Sequence, residues 1–331
     1  MDDWLTAALQ APAVLVTVAI VEGSVPREPG AKMLVTAAGL AGTIGGGHLE
    51  HRAIEIARAM LAEGGQPRLE RFALGPSLGQ CCGGIAHLAF ERAQRAQVAL
   101  LDARRTVDSI RVVAFDHPAW ALFDTDGVHL AGDPVPPFER SLGTHVFTDT
   151  DGRRWLADAI LAPRAHLMLF GAGHVGAAIV RALAELPCRV TWVDERDDQF
   201  PAAVPSNVTV EATDIPEALV ERAAPGTTFL VMTHSHALDL RLSNAILSRP
   251  GQDWFGLIGS STKRRQFEHR LRERGVDHAR IDAMVCPIGL PGIAGKAPAV
   301  IAASCAAQLL TVWEAQAASA ASHPEVSPES N

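Results

Sequence analysis

An α/β chain of two domains is the fold class that the sequence predicts: an N-terminal mixed α/β domain followed by a C-terminal Rossmann-like parallel sheet domain. Three observations predict it. The length, 331 residues, exceeds what one hydrophobic core usually fills. After Pro163 an apolar strand (HLMLF), a glycine turn (GAGHVG), an amphipathic helix (AAIVRALAEL) and a second strand (RVTWVD) follow in order, the alternation that builds a parallel sheet with crossover helices. Before Pro163, short β-branched runs outnumber helical stretches, so that half is mixed. The boundaries fall at 1–162 for the first domain and 163–313 for the second. Residues 314–331, rich in Ala and Ser with two prolines near the end, are expected to be a disordered tail.

The elements follow in order. Residues 14–23 are a buried β-branched strand, and 32–36 with 40–44 form a hairpin around Ala37-Ala38-Gly39. Gly45-Gly46-Gly47 breaks the strand pattern, and from His48 the apolar residues Leu49, Ile54, Ile56, Met60 and Leu61 recur as on one helix, which Gly64-Gly65 stop. Strands are predicted at 68–74 and 85–91, a helix at 93–105, and strands near 110–116, 119–123, 128–131, 145–148 and 153–158. The Pro- and Gly-rich segment 132–143 is a loop. In the second domain TTFLVMT (227–233) and WFGLIG (254–259) are strands, 261–274 is a charged helix and 298–313 a final helix.

Composition excludes several classes. Net charge is −8, whereas nucleic-acid binding needs a basic face. The start, MDDWLTAALQ, lacks the basic n-region and apolar core of a secretory signal, and no run of about 18 apolar residues marks a membrane span. Five cysteines, an odd number in a chain this long, do not make a disulfide framework. The expectation is a cytoplasmic protein in a reducing compartment.

The glycine turn carries the first binding motif. Gly171-Ala172-Gly173-His174-Val175-Gly176 matches G-x-G-x-x-G between a strand and a helix, the context that makes it specific. Gly171 permits the tight turn, Gly173 lets a pyrophosphate approach the backbone, and Gly176 lets helix and strand pack closely. The helix start adds free N–H groups and partial positive charge, with His174 in its first turn. Asp194 ends the next strand, 23 residues after Gly171, where an acid meets a ribose hydroxyl. Gly45, Gly46 and Gly47 stand before a helix and are a second candidate anion cradle. Arg27, from a neighbouring turn with Ser24 and Lys32, offers a guanidinium fork for phosphate.

Gln80-Cys81-Cys82-Gly83-Gly84 is the most unusual segment. Adjacent cysteines suit neither an unstrained disulfide nor C-x-x-C zinc or redox spacing. Glycine-flanked thiolates are accessible, soft donors, and loop N–H groups lower their pKa. Cys81 and Cys82 are therefore functional candidates, whereas Cys188, Cys286 and Cys305 read as small buried hydrophobes. His234 and His236, spaced H-x-H, would share one face if they lay on a strand.

Several segments in order resemble the xanthine dehydrogenase accessory (XdhC/CoxI) family: Gly23–Met33, Gly42–Gly47, Leu78–Gly84, Gly171–Gly176 with Val193–Arg196, Thr233–Asp239, Gly256–Ser260 and Pro287–Leu290. The resemblance runs from about residue 12 to about residue 312. It implies a maturation chaperone rather than an enzyme. Such a chaperone binds the molybdenum cofactor (molybdopterin-bound molybdenum), supports its sulfuration with sulfur from a cysteine desulfurase, and passes it to apo xanthine dehydrogenase; family members are often homo-oligomers. The cofactor, a pterin with dithiolene-bound molybdenum and a terminal phosphate, matches the anion cradles, and Cys81 is placed by this reading near molybdenum or its incoming sulfur. Pro291-Gly292-Ile293-Ala294-Gly295-Lys296 departs from the acid-containing segment of many members and resembles the xanthine dehydrogenase branch. The sequence admits the pterin in either half, and either the same molecule or a separate nucleotide in the Rossmann crevice. Two other readings stand beside it. One is an NAD-dependent oxidoreductase with His234 or His236 as base, in which the absence of tyrosine removes a Tyr-Lys mechanism. The other is a thiol redox protein using Cys81 and Cys82.

Overall fold

The structure, a computed structural model, describes residues 4–75, 83–115 and 117–322. The chain divides into two compact units, Asp2–Ala162 and Pro163–Asn331.

The first unit holds two five-stranded antiparallel sheets. One comprises β1 (Ala13–Glu22), β2 (Lys32–Thr36), β3 (Leu40–Gly42), β4 (Arg68–Ala73) and β5 (Ile85–Arg92) in the order β3-β2-β1-β5-β4. The other comprises β6 (Ser109–Ala114), β7 (Trp120–Phe123), β8 (His129–Gly132), β9 (His145–Thr148) and β10 (Arg154–Ile160) in the order β8-β7-β6-β10-β9. Central strand β1 is buried on both faces, which is why it reads as a continuous apolar run. Its Val14, Val16 and Val18 pack with Met33, Leu88 and Phe90 against Leu49, Ala53, Ile56 and Met60 of α2 (Gly47–Glu63). On the opposite face Ala19 and Ala89 meet Phe115 and Leu156 of the second sheet. Helices α1 (Trp4–Gln10) and α3 (Arg95–Ala103) close one end through Trp4, Leu5, Val98 and Leu101.

The second sheet's approach to the first is partly ionic. Lys32, Glu91, Arg111 and Asp158 are buried, at 6%, 6%, 3% and 0% exposure. Lys32 Nζ donates to Asp158 at 2.7 Å, and Arg111 donates to Glu91 at 2.7 Å and to Asp158 at 2.9 Å. Two cations and two carboxylates thus balance, as buried charge requires. Against burial, which favours their neutral forms, the opposite charges hold the Arg111 pKa up and the Asp158 pKa down.

The second unit is a Rossmann-type layer structure. Strands β11 (Ala165–Phe170), β12 (Cys188–Asp194), β13 (Val208–Ala212), β14 (Thr228–Val231) and β15 (Phe255–Leu257) form one parallel sheet in the order β13-β12-β11-β14-β15. Strand order reverses between β11 and β14, which is where such sheets open a ligand crevice at their carboxyl ends. Alternate residues serve opposite faces. Leu167, Leu169, Val190 and Trp192 meet α4 (His174–Leu183) and α9 (Pro298–Ser322). Met168, Phe170, Val193 and Val231 meet α5 (Glu217–Arg222), α6 (His236–Leu247), α7 (Ser261–Glu273) and α8 (His278–Asp282).

Helix α9 corrects two expectations. It continues to Ser322, past the predicted start of the tail at residue 314, because the alanines there are strong helix formers. Its Pro298–Ser319 stretch is also long and apolar enough to cross a bilayer by length and composition, although no such run was expected. In this fold Ala302, Cys305, Leu309 and Trp313 fill the core beside α4, and Trp313 Nε1 donates to Thr228 Oγ1 at 2.9 Å. The helix is one wall of the Rossmann unit.

Candidate functional site

At the carboxyl end of β11 the turn is built from glycines with separate duties. Gly171 has φ +119°, and a Cβ on it would stand 2.4 Å from the Met232 carbonyl oxygen. A Cβ on Gly176 would stand 2.1 Å from the Gly171 carbonyl oxygen, so α4 rests directly on the turn. Trp192 Nε1 donates to that same oxygen at 3.0 Å. Gly173, which caps α4, has open space in front of it: a Cβ there meets nothing within 4 Å. That opening faces the first amides of α4, the place where a phosphate gains N–H donors and the helix dipole. His174 is exposed at the first position of α4. Gly171, Gly173, His174 and Gly176 therefore converge on one edge, with Asp194 beside them.

Asp194 is not placed as expected. Its side chain is 3% exposed, and both oxygens are occupied. Oδ2 accepts from the Ala172 amide at 2.7 Å and from Arg196 Nη2 at 3.1 Å; Oδ1 accepts from the Arg196 amide at 3.0 Å and from Arg196 Nε at 2.9 Å. Against burial, these bonds hold its carboxyl below the usual range. The acid clamps the glycine turn and does not face outward as a free ribose acceptor. Sequence reasoning quoted Arg196 only as the end of the Val193–Arg196 motif and gave it no role; the signal available was an arginine two residues after the strand-end acid.

The neighbouring strand ends add a second polar group. Asp239, fully buried, accepts from the Thr233 amide and hydroxyl at 3.0 and 2.7 Å and from Lys263 Nζ at 2.6 Å. Lys263 also donates to the Ile258 carbonyl at 2.9 Å. The H-x-H pair is not on a strand: β14 ends at Val231, Ser235 caps α6, and His236 is its first residue. Both histidines are exposed, and among the described residues no group of three metal-ligating side chains forms. A cavity of about 10 Å3 touches Asp194, Thr233 and His234, room for about one water. A wide concavity of about 1790 Å3, lined in part by Arg249, Arg280 and Trp313, lies at the amino ends of the strands, away from this edge.

The N-terminal glycine run is built differently from its expectation. Gly45, Gly46 and Gly47 all have positive φ (116°, 74° and 65°), and Gly45 is forced by Pro26, whose Cβ would lie 2.3 Å from any side chain there. The cradle so formed holds an anion of its own. Glu50 Oε2 accepts from the Ile44 and Gly46 amides, each at 3.1 Å, and from the Thr43 hydroxyl at 2.5 Å. The Gly45 amide goes to Thr43 Oγ1 at 3.0 Å. Arg27 lies beside this run, bonded to Glu28 and to the Thr43 carbonyl at 3.3 Å. Lys32, from the same region of sequence, is turned inward to Asp158. A phosphate does not fit this cradle while Glu50 fills it.

Cys81 and Cys82 lie outside the described residues. The other three cysteines are buried and free, and burial raises their thiol pKa, to about 11 at Cys188 and about 12 at Cys305.

Comparison with known proteins agrees with this organisation. Residues 167–309 match the XdhC Rossmann domain model, and residues 7–73 match the XdhC and CoxI family model. The uncharacterized protein YqeB of Escherichia coli (strain K12) is 29% identical over 170 residues, which is 50% of this chain but only 31% of that protein's length. A probable xanthine dehydrogenase subunit from Bacillus subtilis (strain 168) is 25% identical over 276 residues, covering 78% of this chain and 82% of its own. A solved structure of a xanthine dehydrogenase from Bacillus halodurans shares the fold with TM-score 0.71 and 22% identity, over 99% of this chain and 98% of that one. With an XdhC and CoxI segment at its start and an XdhC Rossmann domain at its end, the chain is an XdhC-like protein of the XdhC and CoxI family.

Proposed function

We propose that this chain acts in the maturation of a xanthine dehydrogenase-type enzyme, as a cytosolic chaperone that holds the molybdenum cofactor and supports its sulfuration and insertion. The observation that carries the reading is the open space before Gly173, at the start of α4, where a terminal phosphate finds backbone donors. The residues there fit such a group: the Gly171–Gly176 turn is rigid, because Cβ atoms at both ends of it would collide with backbone. The cofactor would supply molybdenum and its exchangeable sulfur ligand; the chain supplies the anion seat and the enclosing layers. Family membership and the name of the Bacillus subtilis relative support xanthine dehydrogenase as the client class. Apo xanthine dehydrogenase and a cysteine desulfurase are the partners this role needs, and Cys81 is proposed to lie near the sulfur exchange.

Co-expression of the full chain with molybdopterin synthesis intact, purification, and identification of the released pterin tests the proposal. Recovery of molybdopterin from the wild-type chain, with loss from a Gly173→Val variant that remains folded, is expected. A pterin-free chain that nevertheless turns over NAD with a hydroxy acid would replace this reading with the oxidoreductase one. A Cys81→Ala variant that binds and sulfurates cofactor normally would remove Cys81 from the sulfur step.

A further inference from the structure

Arg189 and His166 stand side by side near the starts of β12 and β11, where they are register partners. Strand alternation puts both on the face that carries Met168, Phe170 and Val193. His166 Nε2 lies 2.9 Å from Thr191 Oγ1, and Thr191 is paired in turn with the exposed Thr209 of β13. Arg189 and His166 are each half-buried. The Arg189 Nε is shut off from solvent and has no hydrogen-bond partner, and among the described residues no carboxylate pairs with its guanidinium. The acid on this face of β13, Glu211, sits beside Val193, four strand residues from Arg189 and so about 13 Å away. Glu217 of α5 has a cation of its own in Arg241. Burial, and after it the Arg189 cation, lower the His166 pKa to about 4, whereas a carboxylate beside the ring would raise it. A shielded guanidinium nitrogen with no acceptor, next to a neutral imidazole, is an arrangement that folding makes costly unless something completes it.

We infer that Arg189 and His166 form a receptor for a small tetrahedral oxyanion, phosphate or sulfate, separate from the glycine turn. The anion brings the negative charge that the guanidinium lacks, and its oxygens accept from Nε and Nη in the fork geometry that arginine presents. With the Thr191 hydroxyl donating to His166 Nε2, the ring hydrogen sits on Nδ1 and points a second kind of donor at the anion. The glycine turn follows Phe170 at the far end of β11, four residues and about 13 Å beyond His166, so the two places do not share a ligand of this size. The inference goes beyond the carrier reading and does not depend on it.

Titration of the purified full chain with inorganic phosphate, and separately with sulfate, tests it. Ionic strength is held constant with chloride, and the imidazole proton resonances are followed. His166→Gln identifies the His166 signal by its disappearance, and His174→Gln does the same for the reporter at the glycine turn. The His166 signal is expected to shift saturably at millimolar anion. Arg189→Gln should raise the half-saturating concentration at least about tenfold. Arg189→Lys, which keeps the charge and loses the fork, should raise it about threefold; thermal melts establish that the variants are folded. No saturable shift at His166, a shift that chloride reproduces, or unaltered half-saturation in a folded Arg189→Gln chain would each overturn the inference. A response at His174 alone would put the anion at the glycine turn and overturn it as well. If neither Arg189 variant folds, the wild-type titration decides: saturation at His166 with phosphate and sulfate but not with chloride sustains the site, and its absence removes it. Recovery or loss of pterin in the carrier experiment moves none of these readings.

Discussion

The carboxylate of Glu50 lies 3.1 Å from the amide nitrogen of Gly46, inside the cradle that three consecutive glycines form. The same oxygen takes the Ile44 amide and the Thr43 hydroxyl, and Glu50 stands in the first turn of α2, where negative charge also opposes the helix dipole favourably. The glycine run is a self-capped helix start. Glu50→Ala is therefore expected to lower stability by about 1–3 kcal/mol, the cost of orphaned donors, while leaving the pterin content of the chain unchanged. Denaturant unfolding and pterin release on the same preparation measure both. A variant that keeps its stability and gains affinity for inorganic phosphate would restore the cradle as a ligand site.

The ion network between the antiparallel sheets makes a larger prediction. Arg111 is the cation bonded to Glu91 and one of two bonded to Asp158. Arg111→Met leaves Asp158 ion-paired to Lys32 alone and Glu91 buried without its guanidinium partner, and such broken networks cost about 3–5 kcal/mol. Replacing Glu91 by Gln in the same chain removes that stranded charge. The double variant should therefore be more stable than the sum of the single losses, a coupling that a double-mutant cycle in urea reads directly. Additive losses would mean that the four groups do not act as a unit.

The Rossmann half was legible because its signal is local: strand, turn and helix occupy consecutive residues, from Ala165 to Leu183. The ion network was not, since Lys32 and Asp158 lie 126 residues apart. Its trace in the sequence is Lys32, Arg111 and Asp158 in the otherwise largely apolar strands KMLVT, SIRVVA and RWLADAI, but nothing local pairs them. Helix α6 was hidden by the conspicuous histidines. Ser235 as cap, with Leu238, Leu242 and Ile246 at helical spacing, was the better signal. Strand β13 has five residues and an exposed face, too little periodicity to stand out. Glu50 fills the cradle for a reason the motif omits: an acid three residues after a glycine run can reach back to it as well as any ligand.

Gly173 and Gly176, three residues apart, should respond oppositely to alanine. Gly173 has φ −73° and free space before it, so Gly173→Ala should fold normally, with its melting temperature unchanged or slightly raised, and lose ligand affinity because the methyl stands where phosphate approaches. In Gly176→Ala the new Cβ falls 2.1 Å from the Gly171 oxygen; the helix must shift off the turn, at a cost of about 2–4 kcal/mol by analogy with overpacking. Melting curves and pterin content separate the two. Equal destabilisation would mean that the turn is packed on both sides and has no open front.

His166 gives the chain a mildly acidic stability limit. Burial, reinforced by the nearby Arg189 cation, lowers its pKa from 6.5 to about 4, and its Nε2 lies 2.9 Å from Thr191 Oγ1. In the unfolded chain the imidazole takes a proton near pH 6.5, while in the fold it stays neutral down to about 4. Across that window the unfolded state binds more protons, so stability present above pH 6.5 is lost as pH falls toward 4. Asp158 and Asp194, whose carboxyls lie below their ordinary range, act at lower pH and do not shape this window. Melting temperatures at pH 7, 6, 5 and 4.5 should fall progressively for the wild-type chain and less steeply for His166→Gln, whose amide can still bond Thr191. Parallel curves for the two proteins would show that His166 is protonated freely in the folded state and that its burial carries no proton linkage.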